Sequence, residues 1–231
     1  MRLDTGKLKL ALSQGQDKVS VCSYIHSHSD DGGGETSEDE IVSMLQLLAI
    51  SHTKELVWEF GLEYQFMIPL TTALQNKTTQ LRVLDVSENL LGCDSALLLA
   101  DMLCTNTSLE ELDLSGNEIE DDGAVALANA LRVNPWLKLL DLSDNEIGDF
   151  GAEAMVLALE GNYGLKRINL FRNRVSDLQL LQQLRHVLDT NEQFRLLVAI
   201  RSAQLVPRLG KDSFAKALPG DLCRILKAML M

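Results

Sequence analysis

The chain has 231 residues, 46% of them hydrophobic and 23% charged, which suits one well-buried domain with an ordered appendage and excludes wholesale disorder. Its net charge of −12 is uneven: residues 108–160 hold thirteen acidic side chains against only Arg132 and Lys138, whereas residues 161–231 hold twelve basic against five acidic. An acidic middle repels phosphates and excludes nucleic acid as its ligand. No apolar run reaches membrane-spanning length, and Ala96–Ala100 and Leu196–Ile200 are only five residues each.

Lys7 and Lys9 interrupt the first sixteen residues, so the N-terminus does not read as a secretory signal. Residues 7–12 (KLKLAL) and part of Val19–Ile25 alternate in polarity around Gln14–Asp17, which predicts a marginal hairpin. Ser27–Asp39 is made of Ser, Gly, Asp and Glu and reads as a linker. Residues 1–36 are therefore expected to form an extension outside the main array. His26, His28, Asp30 and Asp31 are metal-ligand types, but in a solvated Gly-rich run they predict no metal site. Gly32–Gly34 has no following Lys and reads as a hinge rather than a phosphate cradle. Ser37 and Glu40 form a capping box that opens a helix through Ile50.

From here a repeat takes over. Leu81, Leu109, Leu137 and Leu165 stand 28 residues apart; three places on come Leu84, Leu112, Leu140 and Ile168. Val86, Leu114, Leu142 and Leu170 follow, then Asn89, Asn117, Asn145 and Asn173, then Leu91, Ile119, Ile147 and Val175. Four registers of L-x-x-L-x-L-x-x-N-x-L define a stacked array. The alternating fourth and sixth places predict a short strand with one face in a core. Each Asn sits where the chain leaves the strand, and its amide satisfies backbone groups that burial would otherwise leave unpaired.

The second half of each unit predicts a helix. Ala96, Leu99, Ala100 and Leu103 fall at i, i+3, i+4 and i+7, as do Ala124, Leu127, Ala128 and Leu131, and Ala152, Met155, Val156 and Leu159. Asp121, Asp149 and Asp177 suit the N-cap of these helices, with Cys93 at the equivalent earlier place. Strand and helix alternating at this length give an α/β solenoid, a short horseshoe with parallel strands on the concave face and helices on the convex one. Clear repeats span 81–190, and weaker ones extend the array to 37–205. Backwards, Leu56 and Trp58 take strand places, Gly61 replaces Asn, and a helix is expected from about Pro69 to Asn76. Forwards, Leu196 and Val198 take strand places and Arg201 replaces Asn. Residues 206–231 are expected to form a C-terminal cap, with Asp221 opening a helix over 221–230 whose Leu222, Ile225, Leu226 and Met229 cover the end of the core.

Cys22, Cys93, Cys104 and Cys223 have no short-spaced pair and read as reduced thiols in a cytoplasmic or nuclear protein. The sequons at Asn76 and Asn106 then count as chance matches. His52 and His186 have no nucleophile at a recognisable spacing, and Glu118, Asp144 and Glu146 form a solvated rim rather than an acid and base pair. No enzyme, cofactor, metal or small-molecule substrate is expected.

Stretches such as Leu109-Glu110-Glu111-Leu112-Asp113-Leu114-Ser115-Gly116-Asn117 and Asp122-Gly123-Ala124-Val125-Ala126-Leu127-Ala128 resemble ribonuclease-inhibitor-type leucine-rich repeats. That group includes ribonuclease inhibitor, the Ran GTPase-activating protein, tropomodulin and the receptor ends of NOD-like receptors. The resemblance implies binding of macromolecules along the concave strand face and neighbouring loops. It also supplies two rivals to a simple adaptor. One is a GTPase-activating regulator, for which Arg82 and Arg167 match no motif and the repeat count is low. The other is a tropomodulin-like cap on actin.

Side chains facing away from the core form columns: Val83, Glu111, Leu139, Arg167; Asp85, Asp113, Asp141, Asn169; Ser87, Ser115, Ser143, Phe171. Strands about 4.8 Å apart put three aspartates in file, an unfavourable like-charge arrangement. Asp and Ser are also common at these places as turn-supporting residues. Leu139 and Phe171 are apolar where polar residues solvate more easily, and Arg167 and Arg172 flank Phe171, a composition typical of interface anchors. The expected site is Glu111, Asp113, Leu139, Asp141, Arg167, Asn169 and Phe171, facing a protein partner with a basic surface, with no nucleic acid or membrane involved.

Overall fold

The computed structural model describes residues 2–3, 5–21, 25–26, 38–58 and 61–209. In chain order the elements are β1 (Arg2–Leu3), α1 (Thr5–Ser13), β2 (Lys18–Ser20), β3 (Ile25–His26), α2 (Glu38–Leu48), β4 (Glu55–Val57), α3 (Tyr64–Gln75), β5 (Val83–Asp85) and α4 (Cys93–Thr105). Then follow β6 (Glu111–Asp113), α5 (Asp121–Leu131), β7 (Leu139–Asp141), α6 (Asp149–Leu159), β8 (Arg167–Asn169) and α7 (Leu178–Leu209). β2, β4, β5, β6, β7 and β8 pair in that order, all in parallel, while β1 and β3 form a separate antiparallel pair.

The leucine register is the one that the repeat demands: Leu56 aligns with Leu84, then Leu112, Leu140 and Ile168. Leu84, Leu112 and Leu140 are each 0% exposed, and burying a leucine stabilises by about 2 kcal/mol. Every residue of the three helical stripes is buried as well. Helices stacked side by side need about 8–10 Å, whereas paired strands need about 4.8 Å. The stack therefore curves, with its strands on the inner wall.

Two asparagine ladders stitch the coils. Asn117 Oδ1 accepts from the Asn89 and Leu91 amides at 3.1 and 2.9 Å, and its Nδ2 donates to the carbonyls of Val86 and Leu114 at 3.1 and 2.9 Å. Asn89, Asn145 and Asn173 occupy the same place in their own coils, each donating to a carbonyl of the coil behind. A second ladder stands at the helix ends: Asn106 donates to Leu74 O, Asn134 to Leu103 O, Asn162 to Leu131 O and Asn191 to Leu159 O. The sequence marks it with the same 28-residue period from Asn106 to Asn162, and 29 to Asn191.

Four expectations change. The 7–12 segment is helical, not a hairpin strand, and Leu8, Ala11 and Leu12 are buried at i, i+3 and i+4. β2 then pairs with β4, so residues 5–20 add a coil to the sheet, where an extension outside the array was expected. α3 begins at Tyr64 and carries Pro69 inside it. Leu196, Val198 and Arg201 lie in α7 and form no strand, because α7 runs unbroken past Asn191, where the earlier helices stop. The predicted capping helix at 221–230, the 27–37 linker with its His28, Asp30 and Asp31, and Ser37 of the capping box lie outside the described residues.

Candidate interaction surface

Three-residue strands allow two outward side chains each, and parallel pairing turns them into rows. Glu111, Leu139 and Arg167 stand side by side, as do Asp113, Asp141 and Asn169. Asp85 continues the second row beyond Asp113 and extends the file past the expected site. Glu111, Arg167 and Asn169 are exposed, whereas Asp113, Leu139 and Asp141 are half-buried. Phe171, just beyond β8, is 69% exposed, and the Arg172 guanidinium lies 5.7 Å from its ring centroid. All seven expected residues thus fall on one wall.

The aspartates serve the fold and carry charge at once. Asp113 Oδ1 accepts from the Ser115 amide at 2.9 Å and its hydroxyl at 2.7 Å, and Asp85 with Ser87 and Asp141 with Ser143 repeat this. These bonds hold the carboxylates in place and tie up the serine hydroxyls. Burial raises the Asp113 pKa above the usual carboxylate value, the Ser115 bonds oppose this, and Asp85 and Asp141 on either side add to the rise. The file ends at Asn169, whose Nδ2 donates to Asp141 Oδ2 at 3.0 Å.

Other rows are compensated. Glu110 lies 2.7 Å from Lys138 and 3.8 Å from Arg82, Lys54 pairs with Asp17, and Lys18 with Glu55. At the strand exits Arg172 meets Asp144 and Arg174 meets Glu146, so the basic last coil faces the acidic one behind it. Apart from the half-buried Glu110–Lys138 pair, these ion pairs are largely exposed and each contributes well under about 1 kcal/mol. The row roles of Glu110 and Asp17 were missed, since only the fold shows which charges become neighbours.

Cys93 is half-buried and Cys104 exposed, both as free thiols. Among the described residues no three His, Cys, Asp or Glu side chains converge as a metal site. No helix among them is long and apolar enough to cross a membrane.

A leucine-rich-repeat family model matches residues 105–128 and 133–156. Comparison with curated proteins by sequence gives no match. Among solved structures, the fold is similar to leiomodin-1 actin-binding site 2, with a TM-score of 0.63 and 17% identity, covering 75% of this chain and 99% of that one. It is also similar to the tropomodulin C-terminal domain of Caenorhabditis elegans, with a TM-score of 0.54 and 12% identity, covering 85% and 98%. The 28-residue register, the family match and the shared fold together make this chain an α/β leucine-rich-repeat solenoid, ribonuclease-inhibitor-like in its repeats and tropomodulin-like in its fold.

Proposed function

We propose that the chain is a non-catalytic protein-binding scaffold of the cytoplasm or nucleus, which holds a macromolecular partner on its strand wall. The contact centres on Glu111, Asp113, Leu139, Asp141, Arg167, Asn169 and Phe171. The observation that carries this reading is the Asp85–Asp113–Asp141 file, three aligned carboxylates with no cation paired to them among the described residues. A basic surface laid along the file turns its repulsion into attraction. Phe171, exposed at the end of the file, supplies an apolar anchor.

The test is affinity purification with mass spectrometry, comparing the wild type with a variant carrying Asp113→Lys, Asp141→Lys and Phe171→Ala. Natural partners are expected to drop out of the variant, and retention of all of them refutes the reading. A specific form of it is binding to actin, which the fold overlap across 99% of leiomodin-1 actin-binding site 2 favours. Pyrene-actin assembly with and without the protein decides it, and unchanged assembly kinetics exclude it. The GTPase-activating alternative is tested by GTP hydrolysis by small GTPases with and without the protein, which is expected to be unchanged.

A further inference from the structure

Among the described residues the array stops at β8. Twenty-eight residues beyond Arg167–Asn169, where another strand would stand, residues 195–197 lie inside α7, so among the described residues β8 pairs on one side only. On the coil before it the outward edge is used. Lys138 O accepts from the Lys166 and Arg167 amides at 2.8 and 3.1 Å, and the Leu142 and Asp144 amides donate to Asn169 O and Phe171 O, both at 2.9 Å. The equivalents in the last coil are Lys166 O, Leu170 N and Arg172 N. None of them has such a partner among the described residues.

Beside this edge, between β8 and α7, runs a groove of about 590 Å³ whose walls include Ile168, Leu170, Leu184 and Leu188. Ile168 is only half-buried, although Leu84, Leu112 and Leu140 in the same row are fully covered. Lys166, Arg167 and Arg185 also line the groove, and among the described residues none of the three has an ion pair. Of its two acids, Asp141 is already engaged by Ser143 and Asn169, which leaves Asp189.

An unpaired strand edge, an apolar trough and a surplus of uncompensated cations ask for one kind of occupant. We propose that this groove binds an extended acidic segment of another protein, laid parallel to β8 as a seventh strand of the sheet. Its backbone takes up Lys166 O, Leu170 N and Arg172 N. In parallel register, the residue beside Arg167 is acidic and those beside Ile168 and Leu170 are apolar, giving the pattern acid, apolar, any, apolar. The chain's own residues 210–231 suit the groove poorly on charge, carrying Lys211, Lys216, Arg224 and Lys227 against Asp212 and Asp221. The groove shares Leu139, Asp141, Arg167, Asn169 and Phe171 with the proposed contact surface, but it does not depend on the acidic file having a partner, because the file attracts cations and the groove anions.

Fluorescence anisotropy of the full chain tests this with a short fluorescein-labelled peptide in which Glu alternates with Val, and a matched peptide with Lys in place of Glu. The Glu peptide is expected to bind saturably and more weakly as salt rises. Arg167→Glu with Arg185→Glu weakens it by at least about tenfold, while Glu153→Lys, exposed on α6 away from the groove, leaves it bound. Thermal melting checks that both variants are folded. Hydrogen exchange at the Leu170 and Arg172 amides is expected to slow on binding. Equal binding of both peptides, no binding to the wild type, or unaltered affinity in the arginine variant overturns the proposal. So does unchanged exchange at the two amides. If those amides are already protected without peptide and the peptide does not bind, residues 210–231 hold the groove and the proposal also falls.

Discussion

Asp121 Oδ1 accepts the Gly151 amide at 2.9 Å, so the first residue of α5 secures the start of α6 rather than its own helix. The Gly148 amide donates to the same oxygen at 2.7 Å. Asp149 repeats the arrangement one coil on, with the Ser176 and Asp177 amides. Only Asp177 fills the expected role, accepting from the Gln179 amide two residues ahead. The shift follows from packing: a Cβ on Gly151 would stand 2.7 Å from both Asp121 Oδ1 and Ile147 Cγ2, so glycine lets the carboxylate of the coil behind reach in.

Removing that reach has a defined cost. Asp121→Ala is expected to lower the unfolding free energy by about 1–2 kcal/mol, the usual loss of a helix cap, and Asp121→Asn by less. Gly151→Ala overpacks the same place and costs about 1–3 kcal/mol. Urea denaturation followed by circular dichroism measures all three, and an unaltered midpoint for Asp121→Ala contradicts the inter-coil cap.

Asn117 is a stricter case. Its side chain satisfies two amides and three carbonyls, and it is 6% exposed. Asn117→Ala leaves buried groups unpaired and is expected to cost about 3 kcal/mol or more. Asn117→Asp keeps the acceptor and loses both donors, so it should rescue little. If the aspartate variant melted with the wild type, the donor half of the ladder would be dispensable.

Asp113 predicts a pH dependence. Its folded-state pKa is raised, so its contribution to stability is complete below the unfolded value of about 4 and is lost as pH rises through the folded value. Asn169 shows that an amide can serve this place, its Oδ1 accepting the Phe171 amide at 3.1 Å. Asp113→Asn should therefore be more stable than the wild type at pH 7, by about 0.5 kcal/mol, less in high salt. The advantage should vanish as pH drops toward 4. Melting curves across that range check it, and a variant less stable at neutral pH would contradict it.

Phe171→Ala separates binding from folding. A side chain this exposed packs little, so the melting temperature should shift by no more than about 0.5 kcal/mol equivalent. Partner capture should nevertheless fall. An equal loss of stability and binding would make Phe171 a structural residue.

The middle coils were legible because one 28-residue period fixes strand, turn and helix together, and Leu84, Leu112 and Leu140 have no other way to share a core. The ends were not. Leu8, Ala11 and Leu12 satisfy a helix, while the neighbouring Lys7-Leu8-Lys9-Leu10 satisfies a strand, and six residues cannot decide between the periods. Leu196 and Val198 match strand places by spacing, yet no Gly or Pro interrupts Leu178–Val206, so the helix that starts at Leu178 continues through them. The acidic file could be named from the repeat alone. That its carboxylates hold serine hydroxyls, and that the groove beside β8 lies open, follow from where the coil after Asn169 turns.

The asparagine ladders all point one way, each amide reaching back to a carbonyl of the preceding coil. Contacts of this kind span little more than one period, so the chain has low contact order despite its size. During synthesis, each unit finds its template already formed behind it and can set before the next one emerges. A lesion in an early unit should therefore stall everything downstream, whereas one near β8 leaves the earlier units assembled.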